Sequence, residues 1–520
     1  MSSEIAPKKS LNAVVKQIGS WTAISRVAGF VRDLVFAHFL GAGAAADAFL
    51  VAFKLPNLFR RLTAEGALTN VFLPVYSAMR AEKGEARALV FVSEVQTALL
   101  LGLTVLVLLL EYFLPFIMIG LAPGFANTPE RLEAAIALGA ITLPYLPMIS
   151  LVAMWAALSN AHDDFTGGAA APVILNLCLI GAAIMIPVYQ EFSGEAGLLI
   201  VMPLAIGVLL AGIGQMSLLQ IRMRKRRINP GLFSFRLSAE ARRMWASFLP
   251  AALGAGALQI NLLVDTILAS LLNIGAISWL YYADRIAQLP LGIIGIALGT
   301  ALLPRLSALE AAGKPDGVAA EISNGFKTAS LFILPATAAL IVIAEPVLSG
   351  LFLSGAFTQN DAYLSSLALI AYGVGLPAFV GTKILQPAFY AAGQAKLVLK
   401  ISLVSVLINL CLSLLLMQRL GHAGLALATS LSFWIIFIWQ AALLRRQKKL
   451  DFTAGLFMVK ALMASLVMAA GLIGIRMYLT EIPPFSEILG PRLQLVLLVV
   501  SGLILYGGTA VILRIAPKLR

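Results

Sequence analysis

From end to end the chain consists of long apolar runs separated by short polar gaps, and the runs are continuous instead of alternating. The stretch "ALLLGLTVLVLLL" at 98–110 is representative. A helix of about 20 such residues crosses roughly 30 Å of hydrocarbon, whereas a transmembrane β-barrel would alternate apolar and polar positions over about 10 residues. The pattern predicts a helical bundle of fourteen spans, near 12–39, 47–78, 88–118, 131–160, 168–188, 196–221, 242–271, 276–308, 322–349, 362–391, 396–418, 422–444, 453–479 and 492–514. None of the gaps is long enough for a soluble domain, so any function sits within or between helices.

The pattern also repeats. "ALTNVFLPVYSA" (67–78) aligns without gaps to "ALGTALLPRLSA" (297–308), an offset of 230, and "NLCL" (176–179) recurs at 409–412, an offset of 233. The unit is about six helices, an even number, so the two copies share one orientation and are expected to be related by an axis along the membrane normal. The expected organisation is an N-lobe of helices 1–6 (1–221), a basic cytoplasmic linker (222–241), a C-lobe of helices 7–12 (242–444) and two extra C-terminal helices (445–520). Two parallel six-helix lobes form a V-shaped cavity that rocking opens to either side in turn.

Composition agrees. Of 520 residues, 60% are hydrophobic and 12% charged, which marks an integral membrane protein. The net charge of +13 would suit nucleic acid, but the Lys and Arg gather in short loops such as "RMRKRR" (222–227) and "RRQKK" (445–449). The alternate loops "GAGAAAD", "YQEFSGEAG" and "NIGAIS" contain neither, an asymmetry that places both termini in the cytoplasm. The basic N-terminus leads into a long apolar stretch with no small-residue cleavage site and reads as a retained first span. Cys178 and Cys411 are repeat equivalents in apolar runs and read as small core residues; three scattered histidines form no ligand cluster.

Charges inside the runs carry the functional signal, because a charge near mid-membrane is costly unless it faces water, a partner or a substrate. Arg26 and Asp33 are seven residues apart and share a helix face, while Arg32 is turned about 120° away, toward a neighbouring helix or the interface. Asp47, Lys54, Arg61 and Glu65 follow spacings of seven, seven and four, a stripe about 27 Å long on an unbroken helix. A stripe of that length suits a polar cavity wall, with a buried structural network as the competing reading; Pro56 would rotate one half against the other. The eighth helix adds Asp284, Arg285 and Gln288, with Asp284 in register with Lys54. Arg26, Lys54, Arg60, Arg61 and Arg285 together suit an anion with several oxygens, a phosphate-bearing substrate. Gly295 and Gly299 form a packing motif, Lys383 a snorkelling side chain and "HDD" (162–164) a solvated loop. No nucleophile or acid/base pair near a membrane face and no phosphate-cradling glycine loop is present, which argues against an enzyme and against ATP hydrolysis.

The segments "SRVAGFVRD" (25–33), "DAFLVAFKLPNLFRRLTAEGAL" (47–68), "APGFA" (122–126) and "YYADRIAQLPLGIIGIALGTALLP" (281–304) closely resemble the MurJ/MviN family of bacterial lipid II flippases, within the superfamily of multidrug and oligosaccharidyl-lipid exporters. The resemblance covers essentially the whole chain. It implies a multi-pass protein of the bacterial cytoplasmic (inner) membrane. Its cargo would be undecaprenyl-pyrophosphate carrying the disaccharide-pentapeptide peptidoglycan precursor, moved from the inner to the outer leaflet by alternating access for cell-wall biogenesis and cell shape. The family's essential charges match Arg26, Arg32, Asp33, Asp47, Lys54, Arg60, Arg61, Glu65, Asp284 and Arg285. The two extra helices resemble a groove for the prenyl tail. Lipid II, membrane lipids and other cell-wall synthesis proteins are the expected partners, with no nucleic acid, nucleotide or cofactor. Family coupling to membrane potential, Na+ or H+ stays open here: Asp265 and Asn409 are the oxygen ligands on offer for sodium, and the eleventh helix contains no acid. Export of another polyprenyl-linked oligosaccharide, or of drugs by cation antiport, remains the alternative.

Overall fold

The computed structural model describes residues 11–62, 68–195, 197–231, 233–257, 259–451, 453–481 and 490–515. Glu65 and the Arg61 side chain lie outside the described residues. Two compact units divide the chain at Leu271 and Leu272.

The first unit holds α1 (Leu11–Leu40), α2 (Ala44–Ala52), α3 (Lys54–Leu62), α4 (Leu68–Tyr112), α5 (Leu114–Leu121), α6 (Pro129–Thr142), α7 (Tyr145–Asn160), α8 (Thr166–Ile184), α9 (Ile186–Ser193), α10 (Met202–Lys225), α11 (Ala239–Ala257) and α12 (Ile260–Ser270). The second holds α13 (Ala276–Pro290), α14 (Ile296–Ala311), α15 (Pro315–Val342), α16 (Ala344–Phe352), α17 (Gln359–Ala391), α18 (Ala395–Arg446), α19 (Gly455–Glu481) and α20 (Pro491–Ile512). Among the described residues, ten helical stretches are long and apolar enough to cross a membrane.

Two of those stretches are hairpins closed by glycine. Gly84 interrupts α4 at φ 82°, a left-handed conformation that side chains disfavour, and Phe72 before it stacks on Phe91 after it with ring centroids 6.0 Å apart. Gly421 does the same in α18 at φ 55°, so that Thr429 Oγ1 donates to Asn409 Oδ1 at 3.4 Å across the turn. The fourteen-span layout is consistent with this arrangement.

Proline sets the other breaks. Pro56 has no amide hydrogen for the Ala52 carbonyl, so α2 stops at Ala52 and α3 begins at Lys54. The Thr142 hydroxyl, on α6, donates to that carbonyl at 3.4 Å. In the second unit Pro290 is followed by a π-helical turn at Leu291–Gly295, and the helix resumes as α14. Gly299 then lies close to the Lys383 carbonyl, 3.3 Å from where a Cβ would stand, so the glycine pair serves contact with α17.

Packing divides the chain later than the repeat does. The second lobe was expected to start at 242, but α11 packs on α4 and α12 on α5 and the short 3-10 turn Pro123–Asn127. Polar ties explain it: Lys83 Nζ meets Glu240 Oε1 at 2.5 Å, and the Gly124 amide donates to Ser270 Oγ at 3.2 Å. The C-terminal helices belong to the second unit, where α19 packs on α15 and the Tyr506 hydroxyl of α20 donates to the Leu331 carbonyl at 2.6 Å.

Candidate functional site

Among the described residues, some of the charges singled out in the sequence tie one helix to another and others are half-buried or exposed. Arg32 is among the former. Its Nε and Nη2 donate to Asp33 Oδ1 at 3.0 and 2.7 Å, and its Nη1 donates to Asn176 Oδ1 of α8 at 3.0 Å. Asn176 Nδ2 in turn donates to the Ser25 carbonyl at 3.1 Å, so the first residue of the first "NLCL" copy fastens α8 to α1. Of the two settings expected for Arg32, a neighbouring helix or the interface, its bond to Asn176 puts it against α8, and Asp33, 2% exposed, pairs with it although the wheel set the two on different faces.

Asp47 is the clearest departure from the wheel. It is fully buried and pairs with Arg131 of α6 at 3.0 Å, with the Arg131 guanidinium also 4.1 Å from the Phe125 ring centroid. The break at Phe53 puts Asp47 and Lys54 on different helices, so no unbroken stripe runs from 47 to 65. Asp47 therefore faces a packed contact and not a cavity. Arg131 was missed; its sequence signal is a cation at the third position of a helix, where the dipole disfavours positive charge unless an anion answers it.

Lys54 and Arg60 lie half-buried on α3, which packs on α7 and α11; Arg60 Nε donates to Asn57 Oδ1 at 3.0 Å, one turn back. Arg26 is exposed on α1 and lines a cleft of about 290 Å3 with Thr22 and Ser25 on one side and Asn160, Phe165 and Gly168 on the other. In the second unit Gln288 Nε2 donates to Asp284, and the Arg285 guanidinium sits 4.9 Å over the Tyr281 ring with Nη2 donating to the Tyr281 hydroxyl at 3.4 Å.

Several expectations change. The "HDD" loop is not a solvated loop: Asp164 is 2% exposed and accepts from Arg222 Nε and Nη2 at 3.0 and 2.6 Å, and His162 shares a 2.7 Å hydrogen bond with the Tyr76 hydroxyl. Burial would raise the Asp164 pKa, but the Arg222 and Thr166 hydrogen bonds outweigh it and hold the carboxyl below its ordinary value. Cys411 is exposed and Cys178 half-buried, not the core residues expected. Asn409 is buried against Thr429, Asp265 is half-buried, and among the described residues no three His, Cys, Asp or Glu gather as a metal site would require.

Against known proteins, the family described as "Lipid II flippase MurJ" matches residues 36–487. A "Probable lipid II flippase MurJ" of Rickettsia prowazekii is 34% identical over 498 residues, 95% of this chain and 96% of that protein. One of Rhizobium meliloti is 38% identical over 420 residues, 80% and 77% of the two chains. Among solved structures, "Lipid II flippase MurJ, inward closed conformation" superposes with a TM-score of 0.78 at 24% identity, covering 96% of this chain and 98% of that one. An inward-facing multidrug resistance MATE family transporter of the MOP superfamily gives 0.64 at 15% identity, covering 81% and 94%. At those identities the structural likenesses show the fold alone.

Proposed function

Because this chain belongs to the lipid II flippase MurJ family, whose members transport and do not catalyse, we propose that it carries lipid II from the inner to the outer leaflet of the cytoplasmic membrane by alternating access. The diphosphate is the part of that cargo that a hydrocarbon interior rejects most strongly, and it is the part these cations fit. The observation that carries the reading is the division among the cations. Arg32 is committed to Asp33 and Asn176, and Arg131 to Asp47, whereas Arg26 is exposed and lines a cleft with Thr22 and Ser25. Arg26, with the half-buried Lys54 and Arg60, binds the diphosphate oxygens.

Both termini lie in the cytoplasm on this reading, since the Lys and Arg concentrate in the connections on that side. Membrane potential, or a Na+ or H+ gradient, returns the carrier to its loading state. The test is depletion of the protein in its own cell with leaflet-resolved measurement of lipid II. Arg26→Ala and Arg60→Ala should lower the rescued flipping rate by at least about tenfold while the proteins accumulate normally, as expected when one partner of a desolvated charge pair is removed. Normal rescue by both variants would overturn the assignment of the diphosphate to these residues.

A further inference from the structure

The linker between α10 and α11 takes no part in the transport reading, yet it is built. Among the described residues between 228 and 238 there is no helix or strand, and Ser234 and Ser238 are fastened to α4. The Ser234 amide donates to Thr97 Oγ1 at 2.8 Å, the Ser238 amide donates to Glu94 Oε2 at 3.0 Å, and the Ser238 hydroxyl donates to the same oxygen. Glu94 also accepts from Arg87 Nη1 at 2.9 Å on its other oxygen.

Ser234, tied to α4 through its amide, is half-buried, while the residues on either side of it are exposed. Those residues are Phe233 and Phe235, 64% and 80% exposed, with ring centroids 6.5 Å apart and planes 15° from parallel. A backbone tied to α4 at Ser234 and again at Ser238 thus presents a pair of stacked rings to the outside.

The depth of the pair is set by its anchor. Thr97 stands immediately before the apolar run 98–110, and Leu101, Val105 and Leu108 are exposed further along the same helix, the face expected against lipid. The linker therefore crosses α4 where that helix passes from water to hydrocarbon. The run Arg224–Arg227, with Arg236, Arg242 and Arg243, is exposed around it. The lone acid between 222 and 243, Glu240, is paired with Lys83.

We propose that this linker is a membrane-surface anchor, with Phe233 and Phe235 entering the boundary between headgroups and acyl chains and the surrounding cations binding anionic phospholipid headgroups. Aromatic rings favour that boundary and clustered Lys and Arg favour an anionic leaflet, so both halves of the sequence call for the same partner. The anchor stands whether or not the cargo is lipid II.

The test uses the full-length protein carrying Cys178→Ala, Cys411→Ala and Phe235→Cys, labelled with an environment-sensitive fluorophore and placed in vesicles of phosphatidylcholine alone or with phosphatidylglycerol. A Phe233→Cys label provides a second reporter should the first not fold. Quenching by a nitroxide held at shallow depth in the lipid should be at least about threefold stronger with phosphatidylglycerol present, should weaken as salt is raised, and should be lost on adding Arg226→Gln, Arg227→Gln and Arg236→Gln. A label open to aqueous iodide in both vesicles, or equally lipid-quenched in both, overturns the proposal. So does a blue shift that appears only on adding soluble cell extract, which would assign the rings to a protein partner.

Discussion

The two units place opposite charges at the same structural position. In each, a threonine precedes a helix whose third residue reaches the fourth residue of an earlier helix: Arg131 of α6 meets Asp47 of α2, and Asp361 of α17 meets Trp279 of α13. Arg131 is a cation at the positive end of a helix dipole and follows a threonine with no side-chain cap bond, so its stability rests on Asp47 and on the Phe125 ring. Asp361 suits its helix end. It closes a capping box with Thr358, whose amide donates to Asp361 Oδ2 at 2.9 Å, and accepts from Trp279 Nε1 at 2.9 Å. One unit holds the joint with a long-range charge pair, the other with a local cap and a neutral donor.

The largest expected effect follows from that contrast. Arg131→Ala leaves the Asp47 carboxylate buried without its cation and should cost about 3–5 kcal/mol, whereas Asp361→Ala loses a cap and one hydrogen bond and should cost about 1–2 kcal/mol. Thermal unfolding of the purified protein in detergent compares them. Equal losses would break the comparison; a large loss for Arg131→Ala that the added Asp47→Asn substitution reduces would sharpen it.

The contrast also shows what a sequence can reveal. Helix positions were readable because length and apolarity fix them, and glycine or proline stands near the observed breaks at Gly84, Gly421 and Pro56. The angle of Arg32 to Arg26 and Asp33 left a neighbouring helix or the interface open, and the bond to Asn176 chooses the first. Asp47 was misassigned because a helical wheel assumes one axis, and the break at Phe53 ends that axis before Lys54. Its true partner lies 84 residues away, and the spacing within a helix contains no information about such a pair. Asp164 and Arg222, 58 residues apart, escaped for the same reason, and a basic run that reads as a topology signal proved in part to be a tether. The end of the first unit at Leu271 depends on the contacts of α11 and α12, which a sequence repeat does not contain.

Asp164 gives the first unit a smaller, pH-dependent effect. Its folded pKa lies below the unfolded value of about 3.9, so the Arg222 pair stabilises fully above that pH and is lost as pH falls through the folded value. Protease nicking in the 161–165 loop should therefore rise on acidification below about pH 4, and Arg222→Gln should show raised nicking already at neutral pH with less further change. A wild-type profile flat through that window would remove the pair from the stability of the first unit.

The smallest effect concerns the two Leu-Pro steps, Leu55-Pro56 and Leu289-Pro290, which the units resolve differently. In the first, the helix stops and the Ala52 carbonyl left by Pro56 takes the Thr142 hydroxyl at 3.4 Å; in the second, a π-helical turn carries the chain onward. The hydrogen bond is long, and Thr142 also donates to the Gly139 carbonyl at 3.2 Å, so Thr142→Val should cost only about 1 kcal/mol. Pro56→Ala restores an amide hydrogen that can serve Ala52 within a continuous helix. In that background Thr142→Val should cost close to nothing, giving a coupling of about 1 kcal/mol in a double-mutant cycle. Additive losses would mean that Thr142 acts through Gly139 alone and that the break between α2 and α3 is held by the packing of α2 on α6.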